Sequence, residues 1–179
     1  MGKSNNFQVG RRGYEQERKP KFPEKVNPYL ERFGLEIEML EEPQSIKKKY
    51  KEAGIPDYVV KRKDSGEPIA YLEAEFVLEG RWPTGQKFKF PTIRWPDRKY
   101  KHFKKSNGLY KNLPVFMISI RGGDLKDAYY IDARTWIEKA KKEKVRDSVF
   151  WGINIDDEDL GHGLEALGGY ILDRIKRYS

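Results

Sequence analysis

Apolar and polar residues alternate along two neighbouring stretches of the chain, and this pattern predicts a β-hairpin. Residues 57–62 (DYVVKR) and 69–78 (IAYLEAEFVL) are rich in β-branched and aromatic side chains, and the turn-forming segment KDSGEP separates them. Gly66 in that segment can take the positive φ that a tight turn requires. If the turn is centred on Ser65, the numbers of paired residues sum to about 130, so Asp57 lies opposite Glu73.

The other apolar runs predict one domain of the α/β (α+β) class. We expect a central mixed sheet of about four to five strands flanked by helices, with a polar, basic and flexible arm at residues 1–25 and a single domain at 26–179. The uncharged run 115–120 predicts a central strand, whereas residues 35–39 fit a strand or a helix. Further strands are predicted at 128–132 and 149–155, and helices at 28–33, 46–53, 97–105, 135–144 and 164–177.

The second arm of the hairpin predicts a cluster of carboxylates. Its period of two gives one apolar face, which must be core, and a second face that carries Glu73 and Glu75. With Asp57 opposite Glu73, three carboxylates converge at one end of the hairpin. Like charges across a sheet repel, and a divalent cation with hard oxygen ligands relieves that repulsion. The alternative is a solvent-facing acidic strand paired with the neighbouring cations, Lys61, Arg62 or Lys63.

Composition excludes several kinds of site and of protein. The chain has no Cys and only two His, at positions 102 and 162, so zinc fingers, iron–sulfur clusters, disulfide scaffolds and cysteine nucleophiles are excluded. Any metal must therefore be held mainly by oxygen, which indicates Mg²⁺, Mn²⁺ or Ca²⁺. The sequence begins with a polar stretch, and no apolar run reaches the about 18 residues of a membrane span. We expect a soluble, cytoplasmic protein without a membrane partner.

Positive charge is concentrated in one segment. Residues 81–111 carry ten Lys or Arg and one acidic residue, a net charge of +9, whereas the whole chain has +8. Cations neutralise phosphates and aromatic faces stack on unpaired bases, so this basic segment predicts a nucleic-acid partner. The alternative is a solvated basic face whose aromatic residues point into the core. The candidate binding residues are Arg81, Lys87, Lys89, Arg94, Arg98, Lys101, His102, Lys104 and Lys105.

The pattern Pro56-Asp57, then Glu73-Ala74-Glu75 on the second arm of a hairpin, resembles the restriction-endonuclease-like nuclease superfamily, named for its Pro-Asp…(Asp/Glu)-x-Lys motif. The resemblance covers about residues 45–140 and departs from the motif at Glu75, where the superfamily usually has Lys. It implies a mixed sheet built in the order α-β-β-β-α-β. It also implies that Asp57 and Glu73 ligate Mg²⁺ or Mn²⁺ together with Glu75 and the carbonyl of Ala74.

Two groups are candidates to replace the missing motif Lys. Glu75 can act as a base or as a ligand of a second metal. A Lys can instead reach the site from the helix that follows the hairpin, and Lys99 is our choice for that role, on a helix that Asp97 is expected to cap. His102 lies on the same helix as a possible base, although a phosphate contact or an ordinary surface position is the expected role for a lone His there.

These observations predict a metal-dependent nuclease that hydrolyses phosphodiester bonds, with Asp57, Glu73, Glu75 and Lys99 as catalytic residues. DNA is preferred to RNA as the substrate, although no residue distinguishes them. A homodimer is compatible with the resemblance, because two sites are often needed to cut a duplex. The alternative is a non-catalytic nucleic-acid-binding protein with a degenerate nuclease fold.

Overall fold

Three strands form an antiparallel meander in the computed structural model, which describes residues 18–40, 55–77, 92–121 and 127–178 and the backbone of 80–81 and 87–88. They are β1 (Leu35–Met39), β2 (Tyr58–Arg62) and β3 (Pro68–Val77). The predicted register of the hairpin is confirmed, since Tyr58 pairs with Leu72 and Val60 with Ala70. A bulge after Val60 shifts the pairing by one residue towards the turn.

The chain then adds four more strands to the same sheet. Two short pairing strands, β4 (Gly80–Arg81) and β5 (Lys87–Phe88), are followed by β6 (Thr92–Pro96), the helix α2 (Asp97–Ser106), the short β7 (Leu109–Tyr110) and β8 (Leu113–Arg121). β8 lies parallel to β3 and antiparallel to β9 (Asp127–Asp132), which pairs with β12 (Gly161–His162). The sheet order is β1-β2-β3-β8-β9-β12, with β7 on β8.

The predicted class is therefore confirmed as a mixed α/β fold with helices flanking a mixed sheet. The sheet has seven strands rather than about four to five, since the two-residue strands β7 and β12 are too short to leave a pattern in the sequence. β8 is central, as predicted, and its residues 114–120 are all buried.

Two helices cover one face of the sheet. The helix α1 (Phe22–Leu30) and the helix α4 (Leu167–Ile175) pack against the apolar side of β3, that is, Ala70, Leu72, Ala74 and Phe76. α1 begins before residue 26, and Phe22 is in the core at 1% exposure. Gly34 ends the short 3₁₀ turn after α1 with a φ of +68°, which an L side chain rarely adopts. Residues 1–17 of the predicted arm lie outside the described residues.

A second sheet and two helices cover the other face. The helices α2 and α3 (Ala133–Lys139) contribute Phe103 and Trp136 to this core, and the sheet is formed by β10 (Lys141–Val145), β11 (Ser148–Asn154) and β6. The predicted helix 135–144 is wrong after Lys139. Residues 141–144 (KKEK) offer no apolar side chain that a helix could bury, whereas pairing with β11 completes a hairpin.

Two further expectations concern the predicted helix 46–53 and the absence of a membrane span. The predicted helix 46–53 lies outside the described residues. Among the residues that are described, none of the helices has the length and apolar character required to cross a bilayer.

Candidate carboxylate site and basic surfaces

Two of the three predicted carboxylates are buried side by side at the end of the hairpin. Asp57 and Glu73 are only 6% and 7% exposed. The N–H of Asp57 donates to the carbonyl of Leu72 at 3.1 Å, which extends the ladder by one residue. Its carboxylate Oδ2 accepts a hydrogen bond from the N–H of Ala74 at 2.9 Å. The structure therefore places Asp57 against the centre of the Glu73-Ala74-Glu75 segment.

Each buried carboxylate contacts a lysine from another part of the chain. Lys99, on the first turn of α2, forms an ion pair with Oε1 of Glu73. Lys19, which precedes α1, lies 3.1 Å from Oδ1 of Asp57 through its Nζ. Burying two carboxylates costs several kcal/mol each unless partners compensate them, so the two lysines are needed to stabilise the cluster.

The pKa of Tyr58 is affected by its burial and by the negative charge of this cluster. Burial raises the pKa of its phenol far above the usual value, and the charges of Asp57 and Glu73 raise it further. The hydroxyl donates to the carbonyl of Lys19 at 2.6 Å, and this bond holds the segment that carries the lysine beside Asp57. Lys19 was not predicted, because its partner is 38 residues away in sequence and nothing local marks the contact.

The third carboxylate has a different environment. Glu75 is partly exposed, and its Oε2 accepts a hydrogen bond from the hydroxyl of Ser119 on β8 at 3.3 Å. Burial lowers the pKa of the nearby Arg121, while Tyr129 and the charges of Glu75 and Asp127 act in the opposite direction. Ser119 and Arg121 were also missed in the sequence, because only the pairing of β8 with β3 brings them to the site.

The carboxylate oxygens of Asp57 and Glu73 suit a hard cation, because such oxygens are the ligands that Mg²⁺ and Mn²⁺ prefer. Within the described ranges, however, no three acidic or histidine side chains are close enough together to hold an ion jointly. Lys19 and Lys99 contact the same oxygens that an ion would take. A metal bound on Asp57 and Glu73 would therefore compete with these ammonium groups.

The helix α2 divides the predicted basic segment into an inner and an outer face. Phe103 is buried on the inner side, where Lys99 is partly exposed, and His102 lies beside Phe103 with ring centroids 5.4 Å apart. The outer side is exposed and carries Arg98, Lys101, Lys104 and Lys105. The predicted N-cap is wrong, since Pro96 rather than Asp97 occupies the N-cap position of α2. The Asp97 carboxylate instead accepts hydrogen bonds from Lys101 and from the indole N–H of Trp151.

The rest of the segment lies elsewhere. Arg94 on β6 contacts Glu143 at 3.7 Å, and its guanidinium lies 5.2 Å from the Phe150 ring centroid. Trp95 and Phe103 are core residues at 1% and 2% exposure and are not available for stacking on bases. Of the remaining candidates, Lys89 and the side chains of Arg81 and Lys87 lie outside the described residues.

A second group of cations joins the outer face of α2. Trp151 of β11 stacks on Tyr100 of α2 at 3.6 Å and pairs with Lys142 of β10. The pKa of Asp97 is lowered first by its hydrogen bond to Lys101, then by Trp151, and the charge of Lys142 contributes as well. The edge strand β10 and its turn thus extend the basic surface with exposed Lys141, Lys142, Lys144 and Arg146.

Comparison with known proteins does not assign the chain to a family. It matches no known family profile, no curated protein and no solved structure. Function must therefore be inferred from the geometry of the carboxylate site and from the charged surfaces around it.

Proposed function

We propose that the protein is a metal-dependent nuclease. The observation that carries this proposal is the pair of buried carboxylates, Asp57 and Glu73, each held by a lysine from a different element. A fold that needed only a stable hairpin could carry apolar residues at these positions without loss, because a buried ion pair is often no more stabilising than its apolar replacement.

The element order supports the same proposal. The helix α1, the meander β1–β3, the helix α2 and the parallel strand β8 succeed one another along the chain, with β4–β7 as short insertions. This agrees with the α-β-β-β-α-β order that the resemblance implies, with α1 and β1 lying before the residues 45–140 that carry the resemblance. The lysine that the motif lacks is supplied by Lys99, which enters from α2 and contacts Glu73.

The chain's own residues would divide the chemistry as follows. Asp57 and Glu73 would hold Mg²⁺ or Mn²⁺, which supplies Lewis-acid stabilisation of negative charge and an acidified water. Lys99 offers N–H donors and a positive charge for a phosphate oxygen or for the attacking water. Glu75, which is hydrogen-bonded to Ser119, can accept a proton from that water.

The test is cleavage of DNA and of RNA with Mg²⁺, with Mn²⁺ and with EDTA. Loss of a residue that only hydrogen-bonds to a metal ligand lowers activity by about 10- to 100-fold. Asp57→Asn and Glu73→Gln, which remove the proposed ligands themselves, should each lower the cleavage rate by more than this. Glu67→Gln is the matched control, since this exposed glutamate lies at the opposite end of the same hairpin. Wild-type protein that cleaves neither polymer with either metal would overturn the proposal.

A second candidate is a nucleic-acid-binding protein without catalysis. It is favoured by the two ion pairs, which neutralise Asp57 and Glu73 without a metal. In that case Asp57→Asn should reduce stability and leave binding of nucleic acid by the folded protein unchanged.

A further inference from the structure

One row of side chains runs from the carboxylates across the sheet. Strand register places Glu75 beside Ser119, Ser119 beside Tyr129, and Tyr129 beside His162. Directly paired residues of neighbouring strands point to the same face, so the row lies on the face that carries Glu73. With strands about 4.8 Å apart, the backbone of His162 is about 14 Å from that of Glu75.

The outer end of the row is a stack of two rings. The centroids of Tyr129 and His162 are 4.4 Å apart and the rings are inclined by 16°, which is a stacked arrangement. The His162 side chain is 54% exposed, so a supported aromatic surface meets solvent at β12, the last strand in the described part of the sheet. Asp127 is 3.7 Å from Nε2 of His162 and contacts its edge.

Arg121 links this stack to the carboxylates. Its guanidinium lies 5.6 Å from the Tyr129 ring centroid, and Nη2 donates to the carbonyl of Thr92 at 2.6 Å. That hydrogen bond fixes the guanidinium beside the Tyr129 ring; burial lowers the pKa of Arg121, and the charge of Glu75 is among the influences that oppose this shift. A phosphate that approached the carboxylates from β12 would therefore pass a fixed cation.

Unpaired bases are recognised by stacking on His, Tyr and Arg planes, with a cationic track for the backbone. A duplex does not expose its base faces, so a ring stack of this kind fits a single strand.

We propose that Tyr129 and His162 form a stacking site for an unpaired nucleobase of a single-stranded nucleic acid, whose backbone continues past Arg121 to the carboxylates. The site rests on the proposed function, because it assumes that the substrate strand reaches the carboxylates. It adds the form of the substrate and the edge of the sheet over which the strand enters.

The test compares two fluorescent oligomers of equal length, one of thymidine and one abasic, by anisotropy in EDTA so that metal-dependent cleavage is absent. His162→Ala should weaken binding of the thymidine oligomer by about tenfold and leave binding of the abasic oligomer unchanged. His162→Phe keeps a ring at the position and should bind the thymidine oligomer nearly as tightly as wild type. Equal losses with both oligomers, or no loss with either, would overturn the proposal.

A second measurement uses the unmodified protein and does not depend on how a variant folds. A single-stranded oligomer with 5-bromouracil is photo-cross-linked to the protein, and the adducts are mapped by mass spectrometry. Adducts on Tyr129 or His162 are expected, and adducts confined to other residues would contradict the site. The two proposals remain separable, since base-dependent binding without cleavage would overturn the nuclease alone, and cleavage without base-dependent binding would overturn the stacking site alone.

Discussion

Asp57 accepts a hydrogen bond from the backbone N–H of Ala74 at 2.9 Å, so the first carboxylate is fixed to the residue between the other two. This contact makes the position of Asp57 depend on the backbone of β3 rather than on a flexible side chain. A charge-assisted hydrogen bond to a backbone donor is also stronger than a neutral one. The hairpin therefore preorganises the site before any ligand binds.

Lys99→Met should reduce stability and activity together. Glu73 is only 7% exposed, so loss of the ammonium group leaves a buried carboxylate without its ion pair. We expect the free energy of unfolding to fall by about 1–3 kcal/mol, measured by urea denaturation. Cleavage by the folded protein should also fall, because no other described lysine is paired with Glu73.

The double variant Lys99→Met/Glu73→Gln separates the two effects. Removing the charge from both partners should restore most of the lost stability, which gives a coupling energy for the pair, while cleavage stays below the wild-type rate. Lys105→Met on the exposed side of α2 is the control for stability and should unfold like wild type. If the double variant were as unstable as the sum of the two single variants, the ion pair would not couple them.

Local pattern predicted the parts of this site that lie on one hairpin. Alternation and the Gly66 turn gave the register that places Asp57 opposite Glu73, and helical periodicity placed Lys99 on the inner side of α2. Lys19 and Arg121 reach the site only through tertiary packing and the parallel pairing of β8, which no local pattern encodes. The extended conformation of 141–145 was missed for a similar reason, since its partner strand decides it.

Gly168→Ala should destabilise the protein, although alanine has the higher helix propensity. A Cβ at Gly168 would lie 2.3 Å from Cδ2 of Phe33, which is closer than two carbons can approach. Repacking of α4 against the Phe33 ring should cost about 1–3 kcal/mol in the free energy of unfolding. The neighbouring Gly169→Ala is the control, since its Cβ would lie 3.2 Å from the same ring and should have a smaller effect. Equal unfolding midpoints for the two variants would contradict this close approach.

The network around Arg174 should make stability depend on acid. Hydrogen bonds from Lys139 and then from Arg174 hold the pKa of Asp159 below its usual value. A carboxylate with a lowered folded pKa stabilises the protein above its unfolded pKa of about 3.9 and loses that contribution as pH falls through the folded value. The urea midpoint should therefore decline below about pH 4.

Asp159→Asn tests that assignment. The variant should be less stable near neutral pH and lose less stability on acidification than wild type, because this group no longer titrates. Asp156→Asn, at an exposed position in the same turn, should retain the wild-type acid dependence. Parallel pH profiles for Asp159→Asn and wild type would contradict the role of this carboxylate.

Neutralising the edge strand β10 should weaken nucleic-acid binding through charge alone. Lys141, Lys142 and Lys144 are exposed beside the outer side of α2, where they can meet phosphates. The triple Lys→Gln variant should bind single-stranded DNA of any sequence more weakly. The magnitude of the slope of log K against log salt concentration should fall by about 0.7 for each phosphate that the variant no longer neutralises. Arg62→Gln with Lys63→Gln, at the turn of the β2–β3 hairpin, removes two exposed charges far along the chain from this surface and should change the slope little. A similar decrease per charge in this control would show that net charge, rather than the surface formed by α2 and β10, attracts the polyanion.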